Sequence, residues 1–176
     1  HASSIVGTTG RGLMSTACAI QLESTIVKGN GQELPKCGAD LPFKLDGAGF
    51  FLTAESEIEV SKSTFEANVA CGDGGAFACF DCKFLSLHGR TKFLNNAAGR
   101  GGAVVIKDLR EPKSNRQSFV GDGVVFAGNN ATEGGGGAIY RSGIYTANFS
   151  GVVYENNAAL YGNNRATEAV KAVAFR

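Results

Sequence analysis

Phe126-Ala-Gly-Asn-Asn-Ala-Thr-Glu-Gly-Gly-Gly-Gly-Ala-Ile-Tyr140 decides the fold, because its two halves, F-x-x-N-x-A and G-G-A-I, return along the chain at a nearly fixed distance. Phe65-Glu-Ala-Asn68-Val-Ala70 leads to Gly74-Gly75-Ala76-Phe77, and Phe93-Leu-Asn-Asn96-Ala-Ala98 leads to Gly101-Gly102-Ala103-Val104. Tyr154-Glu-Asn-Asn157-Ala-Ala159 repeats the first half once more. A fainter copy, Val27-Lys-Gly-Asn30, lies between Gly12-Leu13-Met14 and Gly47-Ala-Gly49-Phe50-Phe51. The aromatic position falls at 65, 93, 126 and 154, giving spacings of 28, 33 and 28. A repeat of this length signals a stacked architecture in which each unit buries its apolar face against its neighbours.

What fills the unit selects the kind of stack. Short runs of Val, Ile, Phe and Ala lie between Gly and Asn corners, with no sustained helical period, so they read as strands and turns. Three short strands and three corners account for a 28-residue turn of chain. The expectation is an all-β, right-handed parallel β-helix of about five coils forming a single domain over residues 1–176. Stacked coils place like residues above like. Phe65, Phe93, Phe126 and Tyr154 form an aromatic column; Asn30, Asn68, Asn96, Asn129 and Asn157 an asparagine column; Ala70, Ala98, Ala131 and Ala159 an alanine column. Counting two residues past the last glycine of each corner gives Met14, Phe51, Phe77, Val104 and Ile139 as an inward apolar column. The preceding column, Leu13, Phe50, Ala76, Ala103 and Ala138, is mostly small. Stacked rings bury large apolar areas. Asparagine suits a left-handed corner and can pass amide hydrogen bonds from rung to rung. Paired glycines supply positive φ and close approach.

Two stretches break the period. Residues 31–46 contain Pro35, Cys37, Gly38 and Pro42, and the spacing from Val27 to Phe65 is 38, so this is a surface insertion. Residues 107–117, polar and interrupted by Pro112, absorb the longer spacing of 33. Residues 1–12 finish an earlier coil or form a cap, and 165–176 close the far end as a strand or a short helix.

The paired motifs, over about residues 47–167, resemble the polymorphic membrane protein repeats of chlamydial surface autotransporters and the related β-helix repeats of large algal and protist surface proteins. Phe65 to Phe77, Phe93 to Val104 and Phe126 to Ile139 carry both halves. The closing Ala158-Ala-Leu-Tyr-Gly-Asn-Asn-Arg-Ala-Thr is similar to the place where the chain leaves the solenoid in the protist versions. The resemblance implies a secreted or surface-displayed solenoid used in adhesion or in an extracellular assembly. It fits the protist versions better than a bacterial passenger, given the cysteine content.

Composition restricts function further. The net charge is +1, from 17 Lys+Arg against 16 Asp+Glu, which gives no electrostatic argument for nucleic acid. No apolar run approaches membrane-spanning length. The chain starts at His1 without a leader, which reads as a processed product or a piece of a longer protein. Five cysteines suit an oxidising, extracellular compartment, and the odd count leaves at least one thiol without an intrachain partner. Cys71, Cys79 and Cys82 cluster about one coil, while a Cys18 to Cys37 bridge would staple the first insertion to the body. Asn130-Ala-Thr and Asn148-Phe-Ser are N-glycosylation sequons.

The search for chemistry returns little. A glycan hydrolase needs convergent carboxylates, yet Asp73, Asp81, Asp108 and Asp122 stand singly in the sequence. A lyase could draw its base from Lys107, Arg110, Lys113 or Arg116, and His88 could pair with an acid. Cys79-Phe-Asp-Cys82 has C-x-x-C spacing but no second pair, so a disulfide is favoured over a three-thiol metal site with Cys71. The sequence therefore points to a non-catalytic extracellular structural or adhesion module without cofactor. Its expected partners are further coils of its own protein or neighbouring subunits, with glycans as a further partner class. The alternative is a carbohydrate-active β-helix or a glycan-binding module.

Overall fold

The computed structural model describes residues 3–7, 11–31, 46–108, 117–142 and 145–168, and among them the chain forms strands and turns but no helix. All strand pairings are parallel. One sheet stacks β1 (Ser3–Val6), β4 (Thr25–Lys28), β7 (Thr64–Glu66), β10 (Lys92–Leu94), β14 (Val125–Ala127) and β18 (Val153–Glu155). A second stacks β2 (Leu13–Thr16), β5 (Phe50–Thr53), β8 (Phe77–Phe80), β12 (Val104–Lys107), β16 (Ile139–Ser142) and β19 (Arg165–Thr167). A third stacks β3 (Ala19–Glu23), β6 (Glu57–Ser61), β9 (Phe84–His88), β13 (Gln117–Asp122) and β17 (Tyr145–Ser150). A short ladder of β11 (Ala97–Ala98) and β15 (Asn130–Ala131) runs along one corner. Each strand's sheet neighbour lies a full repeat away, so the chain visits the sheets in turn and stacks on itself as a solenoid.

Alternation explains which side chains enter the core. In β6, Ile58 and Val60 are buried while Glu59 between them is exposed, and β9 buries Leu85 and Leu87 in the same register. The aromatic column packs ring on ring, with centroids 4.9 Å apart for Phe65 and Phe93, 4.8 Å for Phe93 and Phe126, and 5.6 Å for Phe126 and Tyr154. Val27 stands above Phe65 in the same register.

Beside these rings runs a continuous amide ladder. Each asparagine Nδ2 donates to the Oδ1 of the next, at 2.8 Å from Asn30 to Asn68, 3.0 Å to Asn96, 3.0 Å to Asn129 and 2.9 Å to Asn157. The backbone N–H of each rung donates to that same Oδ1. The second Nδ2 proton goes to a carbonyl one layer back, Val27 for Asn68, Phe65 for Asn96, Phe93 for Asn129 and Phe126 for Asn157. Every interior rung thus uses both donors and both acceptor directions of its amide, as burial requires.

Two assignments made from sequence are corrected here. The inward column is Leu13, Phe50, Phe77, Val104 and Ile139, since Leu13 pairs with Phe50 and Phe50 with Phe77. Met14 and Phe51 face outward and Met14 is 60% exposed. Gly49 occupies the place of Ala76, not of the last glycine, and a slip of one residue turns a strand over. The left-handed corner residue is also not the ladder asparagine but the one before it: Gly29, Ala67, Asn95, Gly128 and Asn156 have φ between 50° and 66°. The ladder asparagine aims its amide along the stack instead.

The paired glycines do two different jobs. Gly74 adopts φ +66°, whereas a Cβ on Gly75 would lie 2.4 Å from the Gly102 carbonyl oxygen of the next layer. The expected insertions at 31–46 and 107–117 lie mostly outside the described residues, as does most of the 165–176 segment. Of the last, Arg165–Thr167 is strand.

Candidate functional site

The repeat places Asp46, Asp73 and Arg100 at one position, each immediately before a left-handed glycine: Gly47, Gly74 and Gly101. Stacking converts that sequence position into a row on one corner, where Asp73 and Arg100 pair as a parallel bridge. Arg100 grips the Asp73 carboxylate with two bonds, Nε to Oδ1 at 2.8 Å and Nη2 to Oδ2 at 3.0 Å. Lys107, at the end of β12, donates its Nζ to the same Oδ2. The Asp73 backbone N–H donates to Asp46 Oδ1 at 2.7 Å, and Arg11 Nε donates to the Asp46 carbonyl at 2.8 Å. Asp46, Asp73, Arg100 and Lys107, with Gly72, Phe80, Gly99 and Glu133, line a cavity of about 510 Å³.

The electrostatics follow from burial and pairing. Side-chain exposure is 7% for Asp73 and 13% for Lys107, so the pair sits in a medium where its attraction is weakly screened. Burial pushes the Asp46 carboxyl above the ordinary aspartate range, against the hydrogen bond from the Asp73 amide, which pulls it down. For Arg100, burial works downward, but the hydrogen bonds and charge of Asp73 hold it higher than usual. The Arg100 guanidinium also lies 5.3 Å from the Tyr140 ring centre, and Lys107 Nζ 5.1 Å from that of Phe80. Tyr140 donates its hydroxyl to Glu168 Oε2 at 3.1 Å, and burial raises its pKa.

Chemically, the described lining residues set three carboxylates against two cations. Both Asp73 oxygens accept charged donors, and Lys107, read from sequence as a candidate base, is committed to one of them. As built, the group is a cross-layer clamp with a polar recess beside it. Asp46 is the last residue of the first insertion and Lys107 the first of the second, so one boundary of each lies at this recess.

The other candidates lie elsewhere. His88 is on the outward face of the third sheet, its Nε2 3.0 Å from Glu59 Oε1, and a separate shallow hollow there is lined by Ile20, Gln21, Glu57, Ile58, Glu59 and Phe84. Asp122 is exposed at the end of β13. Arg110, Lys113, Arg116 and Cys37 are outside the described residues. Asn130 and Asn148, the sequon asparagines, are both exposed.

The cysteine assignments divide. Cys79 and Cys82 form a disulfide, and Cys71 is also disulfide-bonded, so none of the three offers a thiolate and the three-thiol metal alternative falls. Cys18 is exposed and free, at the corner between β2 and β3 and not on a strand, so the suggested Cys18 to Cys37 bridge is not formed. Among the described residues no group of three or more His, Cys, Asp or Glu side chains could hold a metal ion.

Asp46, Arg100 and Glu133 were missed from the sequence. The signal was present in the column before the first glycine, where Asp46, Asp73 and Arg100 recur at spacings of 27. No family model matches the chain, and no solved structure matches it.

Proposed function

We propose that this chain is a right-handed parallel β-helix of about five coils that serves as a non-catalytic structural or adhesion module of an extracellular or cell-surface protein. Right-handedness follows from the general preference of parallel crossovers. The observation that carries the functional reading is the use made of the repeat residues. The aromatic and asparagine positions are buried in ladders along the whole stack, and the principal charged cluster is closed on itself through Asp73, Arg100 and Lys107. Disulfide bonding at Cys71, Cys79 and Cys82 supports an oxidising compartment. The exposed sequon residues Asn130 and Asn148 suit the same setting. No helix among the described residues is long and apolar enough to cross a membrane. Its partners, in this reading, are further coils of the same protein or neighbouring subunits.

The test is labelling of intact cells of the source organism with antibody raised against the chain. Surface labelling without permeabilisation is expected; labelling only after permeabilisation defeats the proposal.

A second reading, a glycan-binding or polysaccharide-cleaving module, has the recess beside Asp73 in its favour. Incubation with neutral and acidic polysaccharides, followed by assay for released products, separates the two. Turnover abolished by Lys107→Ala or His88→Ala would install the enzyme reading. Retention on a glycan array without products would install the lectin.

A further inference from the structure

The last layer repeats the G-G-A-[V/I] corner with altered chemistry. Gly162 has φ +59°, like Gly136 at +71° below it, and Arg165 then pairs with Ile139 in register. Asn163, Asn164 and Arg165 therefore stand where Gly137, Ala138 and Ile139 stand one layer earlier.

Each change replaces something a further layer would have supplied. In the body, Asn129 Nδ2 donates to the Oδ1 of the next ladder asparagine; at the end, Asn157 Nδ2 instead reaches Asn164 Oδ1, only seven residues on, at 3.3 Å. Likewise Ala131 N–H donates to the Ala158 carbonyl of the next layer, while the equivalent Ala159 N–H donates to Asn163 Oδ1 at 3.2 Å. The third change closes the apolar column. Ile139 is fully buried, but Arg165 in its place is exposed, with its guanidinium 4.9 Å from the Phe149 ring centre and 5.7 Å from that of Tyr154. A layer laid on top would take that charge out of water above an apolar core, which is strongly unfavourable.

Both ends leave core-packed side chains only partly buried, Phe149, Val152 and Tyr154 here and Leu13, Ile20 and Leu22 at the opposite end, but there the column position held by Arg165 is the apolar Leu13. A strand of a further layer, β1, already lies parallel on β4, with Ile5 packed on the core. Among the described residues no strand lies on the outer edges of β2 and β3.

We infer that residues 162–165 are a terminator that closes the stack, so that another layer of this same repeat can add only at the Leu13 and Ile20 end. The inference rests on the solenoid reading and gives the stack a direction: a growing or docking end and a finished end. Two unmodified copies can meet only through their open ends, whereas head-to-tail contact, which makes open chains, is blocked.

The test restores the interior sequence at the closed end with Asn163→Gly, Asn164→Ala and Arg165→Ile together. Sedimentation velocity over a range of concentrations should show the unmodified chain no larger than a dimer, and the variant as chains several-fold heavier that lengthen with concentration. Adding Ile20→Glu to the variant should abolish the chains and leave nothing larger than a dimer, because that substitution charges the receiving end. Far-UV circular dichroism is read on every sample. If the triple variant loses its β signal, Arg165→Ile alone and the Asn pair alone are tested and must each increase association. The inference is overturned by a folded variant that sediments like the unmodified chain, by open chains of the unmodified protein, or by chains indifferent to Ile20→Glu. A substantially helical spectrum of the unmodified protein would instead remove the solenoid reading itself.

Discussion

Asn96 is the rung on which the amide ladder can be tested most sharply. Its Oδ1 accepts from the Asn68 backbone N–H and Nδ2, both at 3.0 Å, and its own Nδ2 donates to Asn129 Oδ1 and the Phe65 carbonyl, again at 3.0 Å. The residue is fully buried. Asn96→Ala deletes four hydrogen bonds and leaves the Asn68 N–H with no acceptor where water has no access. An orphaned buried donor costs about 1–3 kcal/mol and each lost bond about 1 kcal/mol. Allowing for partial relaxation, a loss of roughly 3–5 kcal/mol is expected, near the upper range for single substitutions. Asn96→Asp is the more discriminating change, being almost the same shape. It keeps Oδ1 as an acceptor, but sets a second oxygen against Asn129 Oδ1 and the Phe65 carbonyl, both acceptors, and buries a charge. The acid's folded-state pKa should therefore rise above its unfolded value. By linkage, stability is then lost as pH climbs from the unfolded pKa through the folded one, and recovered in acid where the carboxyl is neutral and can donate. Urea denaturation followed by circular dichroism between pH 3 and 7 measures both variants against the unmodified chain. A cost below about 1 kcal/mol for Asn96→Ala, or an Asn96→Asp deficit that does not shrink toward pH 3, would refute the claim that the ladder holds the stack.

Three further outcomes follow from the same geometry. Phe93→Ala, between rings 4.9 and 4.8 Å away, should cost about 3–5 kcal/mol by opening a cavity, while exposed Lys92→Ala next to it should cost little; thermal unfolding decides. Ala67→Gly should stabilise by roughly 0.5 kcal/mol, because φ +52° costs an L-residue about 1–2 kcal/mol and glycine's greater unfolded freedom returns part of that; an unchanged or lowered denaturation midpoint would count against it. Asp46→Asn preserves the acceptor for the Asp73 amide and removes a carboxyl whose pKa burial has raised. The unmodified chain loses stability relative to this variant as pH rises from the unfolded aspartate pKa through the raised folded one, so the variant's advantage should grow across that window and then level off.

The sequence made the stacking legible because both ladders are periodic in residue type. Phe65, Phe93 and Phe126 recur with Asn68, Asn96 and Asn129, and a parallel stack is the arrangement that brings such residues into contact. It was misleading where one letter served two positions. Gly49 resembles the second glycine of a pair but occupies the alanine position, and the error turned Met14 and Phe51 inward on paper. The clamp was hidden for a different reason. Asp73 and Arg100 differ in charge, so a search for like residues in columns passes over them, and Lys107 joins them from a different point of the repeat. The amide direction of the ladder asparagines could not be read at all. It depends on the left-handed residue before each rung, where Gly29, Ala67, Asn95, Gly128 and Asn156 share a conformation without sharing a side chain.

Burial along the stack carries the remaining consequence. In the middle layers Phe50, Phe77, Phe93, Val104 and Ile139 have no exposed surface, whereas Leu13, Ile20 and Leu22 at one end and Val152 and Tyr154 at the other are only partly covered. In a solenoid each layer contacts only its neighbours, so local stability should follow this gradient, highest where a layer is covered on both sides. The Asp46, Asp73 and Arg100 row lies within the fully covered layers, and its ion pairs tie successive layers together at one corner. The uncovered Leu13 and Ile20 end is instead where strand pairing and apolar burial remain available. The clamp and the open end lie in different layers, so substitutions in one should leave the other intact.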